Sequence, residues 1–260
     1  LTTALANAAT SAEVAALQAN LTTAQADLAE LLAQSNIYAP TNGTLTVSSQ
    51  SELDFALALG DKVSIINGGV TITHTQTMSD ANVATLMGKM VSVTGTVTYT
   101  ASVSSTVAGV FTKLTGAKNL TLSQPGDISL PAFVSTTALS LTGDDLTTSV
   151  SLPALTHVTS GLGALSFSKA TSVDLSALTA YDAAISITTS DAATVDLSAF
   201  TNLTTTSGAA ATTFESLTIV NASTLKAPLF AKGEIEADGI ASVDLPKWQS
   251  LSASSSFAKA

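Results

Sequence analysis

A six-residue motif recurs through the second half of the chain, and this repetition restricts the possible folds more than any other feature. The copies begin at Ile128, Val150, Val173, Val195, Leu225 and Val243. The first four are spaced by 22, 23 and 22 residues, and four of the six prolines in the chain fall at the same motif position. A fixed period of this length is typical of stacked structural repeats that bury a shared core.

A short alternating segment lies between successive motifs and predicts a second strand in each repeat. These segments are 120–122, 139–141, 165–167, 185–187, 217–219 and 235–237. Because side chains alternate between the two faces of a strand, the flanking apolar residues point inward and the central residue points outward. We therefore predict a mainly β fold, a β-solenoid of about 22-residue to 23-residue repeats. Its inward column contains Phe133, Leu155, Leu178, Phe200, Phe230 and Trp248.

The repeat units resemble a known class of surface proteins. Leu152–Val158 followed by Gly163–Phe167 is similar to receptor L-domain and BspA-type leucine-rich repeats, and the resemblance covers roughly residues 119–251. The chain departs from those families because it has no Cys and no regular Asn turn. The resemblance implies an extracellular binding or structural role and supplies no active-site residues.

The N-terminal region has the pattern of an amphipathic helix. Thr10 and Glu13 form a capping box, and helix propensity stays high to about Gln34. The apolar residues follow the alternating three-four spacing of a coiled-coil seam. They are Val14, Leu17, Leu21, Ala24, Leu28 and Leu31. Self-association through this seam is one interpretation; the alternatives are a helix packed on its own domain and a linker or stalk.

Three regions are predicted from these patterns. Residues 1–36 form the coiled-coil-like helix, residues 37–118 an irregular β region that caps the solenoid, and residues 119–260 the repeats. Within the capping region, Ser51–Leu59 and Ser79–Lys89 are expected to be helical between strands of alternating apolar and hydroxyl residues.

Composition excludes several classes of function. The net charge is −10 and all nine basic residues are Lys, so the chain lacks the basic surface that nucleic acid or anionic lipid requires. The absence of Cys removes disulfides and thiolate chemistry. No apolar run is long enough to span a membrane. The first residue is Leu1 rather than Met, which suggests a processed product or an excerpt of a longer protein.

Few residues are suited to catalysis or to metal binding. The two histidines, His74 and His157, are expected on the surface, in a strand and a turn respectively. The outward positions of the motif form a column of Ser129, Ser151, Asp174, Asp196, Lys226 and Asp244. A charge-neutralising stack is the first interpretation of this column, Ca²⁺ between Asp174 and Asp196 is the second, and glycoside hydrolysis by paired carboxylates is the third. No other cofactor is expected.

The remaining outward column carries hydroxyl groups, on Thr121, Ser140, Ser166, Ser186 and Thr218. Ser and Thr are soluble in strands without charge, although a regular hydroxyl lattice also suits ice or a crystalline polysaccharide. We therefore expect a non-catalytic, secreted or cell-surface structural or adhesive protein that self-associates. The alternatives are a carbohydrate- or ice-binding module, with glycans as partners, and a polysaccharide-degrading enzyme.

Overall fold

A computed structural model describes most of the chain. The described ranges are 13–27, 37–101, 111–123, 126–159, 165–181, 185–200, 202–203, 216–228, 234–238, 240–247 and 256–258. They fall into two compact units, Leu1–Ile37 and Tyr38–Ala260.

The first unit contains helix α1, described over residues 13–27. This confirms the N-terminal helix, while Thr10 of the expected capping box lies outside the described residues. All fifteen side chains in this range are exposed. Ala, Leu and Gln account for most of them and favour the helical conformation without support from packing.

The second unit is mainly β, with two α-helices near its start. The helices are α2 (Gln50–Ala58) and α3 (Asp80–Lys89), and a 3₁₀ turn spans Gly60–Ser64. The strands are β1 (Ile37–Tyr38), β2 (Thr44–Val47), β3 (Ile65–Ile66), β4 (Gly69–His74), β5 (Ser92–Ala101), β6 (Gly116–Ser123), β7 (Ile128–Ser129), β8 (Ser135–Thr142), β9 (Ser149–Ser151), β10 (His157–Val158), β11 (Leu165–Ser166), β12 (Ser172–Asp174), β13 (Ala180–Tyr181), β14 (Ile185–Asp196), β15 (Asn202–Leu203), β16 (Ser216–Lys226), β17 (Glu234–Asp238), β18 (Ser242–Asp244) and β19 (Ser256–Ala258).

The strands pair in three parallel ladders. Ladder I contains β2, β4, the ends of β5, β6 and β8, β11, the starts of β14 and β16, β17 and β19. Ladder II contains β1, β3, the starts of β5, β6 and β8, β10, β13 and β15. Ladder III contains β7, β9, β12, the ends of β14 and β16, and β18.

From β7 to the start of β16 the chain visits the ladders in the fixed order III, II, I. Each repeat there has three strands rather than the two predicted, because the short segments of ladder II lack an alternating apolar signal. In His157–Val158, for example, only Val158 is fully buried. Ladders I and II also continue through residues 118 and 119, since β6 pairs with both β5 and β8. The domain division at that point stays a prediction.

The core lies between the ladders and is built from the inward residues of each strand. In ladder I one inward column consists of Val47, Ile72, Tyr99, Leu122, Leu141, Leu165 and Ile187, all at most 3% exposed. The predicted column of the motif is buried in its described members, Phe133, Leu155, Leu178 and Phe200. Phe230 and Trp248 lie outside the described residues.

Local sequence explains the two helices. Ser49 caps α2 by accepting a hydrogen bond from the Glu52 backbone N–H, and the Glu52 carboxylate accepts one from the Ser48 backbone N–H at 2.7 Å. Ser79 caps α3 by accepting from the Asn82 N–H. The bonds to Ser49 and Ser79 satisfy N–H groups that the first turn of a helix leaves unpaired. The helices predicted at 51–59 and 79–89 are therefore confirmed.

No helix in the described ranges combines the length and the apolar character that a bilayer crossing requires.

Candidate functional site

Ladder I presents an outward face of hydroxyl groups, here called the hydroxyl face. Its first column contains Thr46, Thr71, Thr98, Thr121 and Ser140 on adjacent strands. Its second column contains Thr73, Thr100, Ser123, Thr142, Ser166 and Thr188. Every position is Thr or Ser, and the only register shift in these strands before Thr188 lies at Val93–Thr96, outside both columns. The face is therefore continuous from β2 to β14.

This arrangement corrects the predicted hydroxyl column. Ser166 pairs with Thr142 and Thr188, and it does not share a column with Ser140 and Ser186. The two-residue slip keeps every side chain on its predicted face, because the side-chain period of a strand is two. Alternating Leu and Ser residues fit either register equally well, so sequence alone does not distinguish them.

The column of charged residues in ladder III has the predicted register. Ser129, Ser151, Asp174, Asp196, Lys226 and Asp244 occupy one outward column on consecutive strands. The Lys226 ammonium lies 4.0 Å from an Asp196 carboxylate oxygen, and both side chains are partly exposed. Lys226 lies between Asp196 and Asp244 in the register, as the charge-neutralising stack requires, although an exposed pair of this kind contributes at most about 1 kcal/mol to stability.

Asp174 and Asp196, the two residues considered for Ca²⁺, are adjacent across the ladder. One carboxylate oxygen of each accepts a hydrogen bond from a backbone N–H two residues later, at Ser176 and Ser198. Ca²⁺ takes six to eight oxygen ligands, and no group of three or more acidic or His residues gathers anywhere in the described ranges. The pair supplies few ligands, and the Ca²⁺ interpretation stays a prediction.

His74 is fully buried, so its predicted surface location is wrong. It shares the inward face of β4 with Val70 and Ile72. Its Nδ1 is 3.0 Å from the Tyr99 hydroxyl in a hydrogen bond, and its Nε2 is 3.0 Å from an Asp80 carboxylate oxygen. The group connects β4, β5 and the first turn of α3. Alternate residues of a strand share a face, so the apolar residues Val70 and Ile72 indicate that His74 is buried, although its polarity suggests otherwise.

His157 also differs from its predicted place. It lies in strand β10 rather than a turn, pairs with Ser135 and Ala180 across ladder II, and is half-buried.

The Asp127 carboxylate links two successive repeats. It accepts hydrogen bonds from the Thr148 N–H, the Thr148 hydroxyl and the Ser149 N–H, at 2.9, 2.8 and 2.7 Å. Partial burial raises the pKa of this carboxyl, but the hydrogen bonds from Ser149 and Thr148 outweigh it and leave the pKa lowered. The residue thus holds its own repeat to the next and was not recognised in the sequence.

An open cavity of about 390 Å³ lies beside β2, at the beginning of ladder I. It is lined by Tyr38, Pro40, Thr41, Asn42, Thr44, Leu45, Thr46 and Phe55. None of these residues is charged, and Phe55 is 55% exposed. The cavity therefore combines two aromatic rings with amide and hydroxyl groups.

Helix α1 carries the predicted assembly seam. Val14, Leu17 and Leu21 are 58%, 67% and 58% exposed, and Ala24 is exposed as well. Leu28 and Leu31 lie outside the described residues. The described part of the seam is thus an apolar stripe open to a partner.

No family model, curated protein or solved structure matches the chain.

Proposed function

We propose that the protein is a non-catalytic structural or adhesive module of the cell surface, in which a β-solenoid carries an N-terminal helix that joins copies of the chain. The support for the solenoid is the fixed order in which the chain visits three parallel ladders. The resemblance of residues 119–251 to leucine-rich repeats of surface proteins agrees with an extracellular place and stays a prediction.

The exposed seam of α1 is the observation that carries the assembly part of this proposal. Three apolar side chains in three-four spacing, each more than half exposed, leave a stripe that water solvates poorly. Fewer than three heptads make a marginal coiled coil in isolation. Attachment to a repeat domain and several contacts in one assembly compensate for that weakness through multivalency.

The experiment is a size measurement by light scattering on the full chain and on the variant Leu17→Asp. We expect the full chain to form oligomers whose mass rises with concentration, and the variant to be smaller at every concentration. Leu146→Asp is the control, since Leu146 is 51% exposed on a turn of the repeats and its change should leave the mass unaltered.

Removal of residues 1–36 gives a second readout. The shortened chain should keep the circular dichroism of its strands and lose assembly. A full chain that stays monomeric at high concentration would contradict the proposal, and so would a shortened chain that assembles normally.

Carbohydrate binding is the second candidate, and the cavity beside β2 favours it. An exposed aromatic ring offers a flat apolar surface to the C–H face of a sugar, while Asn42 and the Thr hydroxyls offer hydrogen bonds without charge. A glycan array probed with the full chain tests this candidate. Neutral glycans should be retained, and Phe55→Ala should lose them while Leu146→Ala keeps them.

A further inference from the structure

The hydroxyl face, defined above by its two columns, is not used by other groups in the described ranges of the protein. In the described part of the chain, none of the Thr and Ser side chains of the hydroxyl face makes a hydrogen bond within the protein. Thr115, Thr156 and Thr179 in contrast each donate from Oγ1 to a backbone carbonyl of the preceding repeat, at 2.9, 3.2 and 2.9 Å. The hydroxyl face therefore keeps its hydrogen-bonding capacity for an external partner.

The charge distribution restricts that partner. The chain has a net charge of −10, yet both columns of the hydroxyl face are uncharged from β2 to β14. Among the described strands, acidic residues enter the same register of ladder I only on β17, at Glu236 and Asp238. A charged partner would find no opposite charge on this face. An uncharged surface of hydrogen-bond donors and acceptors is its electrostatic complement.

The spacing of the hydroxyl groups is regular in two directions. Adjacent strands place successive hydroxyls about 4.8 Å apart, and the two columns lie two residues apart along each strand, or about 6.7 Å. Eight of the eleven positions are Thr, whose side chain is restricted about χ1 and is therefore rigid. Little side-chain entropy is then lost when a partner binds.

Water molecules in ice form a lattice of similar dimensions. With O–H···O distances of about 2.75 Å and tetrahedral geometry, second-neighbour oxygens lie about 4.5 Å apart, and the layers repeat at about 7.3 Å. The protein spacings differ from these by about 0.3 and 0.6 Å. Only two columns are present, so the larger difference does not accumulate. The smaller difference adds up to about 1.5 Å over the five intervals of the second column, which is less than one lattice spacing, and each hydroxyl rotates to adjust its hydrogen atom.

We infer that the hydroxyl face binds the surface of ice crystals. Its side chains hold water molecules in positions that continue the lattice, and the Thr methyl groups fill the spaces between them. The inference goes beyond the structural role proposed above and depends only on the register of ladder I.

A crystalline polysaccharide is a less suitable occupant of this face. Sugar rings present apolar C–H faces that stack on exposed aromatic side chains, and neither column contains one. Tyr99 lies on the opposite, buried side of β5. The cavity at Phe55 is a separate place with a different chemistry.

The test is uptake of the full chain into a slowly growing ice hemisphere, measured as the ratio of protein concentration in ice to that in the remaining liquid. We expect enrichment in ice for the wild type and exclusion of Thr98→Tyr, because a ring at the centre of the face lifts the lattice away. Ser151→Tyr is the matched control: it also lies in a central strand, half-buried, but on ladder III.

The control should remain enriched, and both variants should melt at temperatures close to that of the wild type. Exclusion of the wild type from ice would overturn the inference, as would equal loss in both variants or binding to cellulose without uptake into ice. The assembly variant Leu17→Asp should still enter ice as a single chain. Ice uptake by this variant therefore tests the ice site separately from the proposed assembly.

Discussion

At the scale of single residues, the inward column of the motif determines stability. Phe200 is fully buried, and the Leu178 side chain of the preceding repeat occupies the equivalent position in the same column. Each repeat is supported only by its neighbours, so a cavity at one position weakens adjacent repeats as well.

Phe200→Ala should lower the free energy of unfolding by about 3 to 5 kcal/mol, because removal of a buried ring loses both transfer energy and packing. Chemical denaturation followed by circular dichroism measures the change. Ser186→Ala on the exposed face of β14 is the control and should change stability by less than about 0.5 kcal/mol. Similar values for both variants would place Phe200 outside the core.

Asp127→Asn tests the pH dependence that follows from a lowered pKa. The folded protein favours the carboxylate, so Asp127 contributes stability above the ordinary Asp pKa of about 3.8 and loses that contribution as pH falls through the lower folded pKa. The variant should therefore melt below the wild type at pH 7. The difference in melting temperature should shrink as the pH is lowered below 3.8. If the difference in melting temperature did not change with pH, the variant would be destabilised by altered hydrogen-bond geometry rather than by loss of the carboxylate charge.

At the scale of elements, sequence reasoning succeeded where strands had a distinctive turn and failed where they did not. The motif strands were placed in register because Pro or Ser follows each strand at a fixed position. The hydroxyl strands were misplaced at Ser166 since alternating Leu and Ser allow a two-residue slip. Ladder II was missed because its strands are two residues long in β10, β13 and β15.

The candidate sites show the same division. The charged column could be predicted because it has one side chain in each repeat. The cavity beside β2 joins residues 38–46 with Phe55 of α2, and these residues share no sequence pattern. The polarity of His74 favours a surface position, whereas its place on the same strand face as Val70 and Ile72 puts it in the core.

The turn before β4 requires a glycine at Gly68. Its φ of +150° is unfavourable for other residues, and an added Cβ would lie 2.5 Å from the Gly43 carbonyl oxygen. Gly68→Ala should therefore lower the free energy of unfolding by about 1 to 3 kcal/mol. Gly60→Ala is the control for backbone strain alone, since its φ is +64° and no atom lies within 4 Å of the new Cβ. Thermal melting should show the larger loss for Gly68→Ala.

At the scale of the whole molecule, the repeats are interchangeable in register. Ser151 pairs with Asp174 and Asp174 with Asp196, so removal of residues 152–174 places Ser151 where Asp174 stood, against Asp196. The shortened chain should fold with a cooperative thermal transition at a somewhat lower temperature. Removal of residues 152–163 is the control, because it takes away part of a repeat and leaves the following strands out of register. A chain without residues 152–174 that shows no cooperative melting would contradict this expectation.

The parallel pairing of all three ladders also determines how the chain acquires its structure. In the described ladders every strand pair is parallel, so none of these pairs is joined by a tight turn, and a typical contact, such as Ser135 with His157, spans one repeat of the chain. The first strand pair must therefore close a long loop before its backbone groups form hydrogen bonds, which makes the start of folding slow. Each later repeat then docks on a finished edge. During synthesis on the ribosome, early repeats can be fully folded while later ones are still being translated, and the folded part lengthens in the direction of translation.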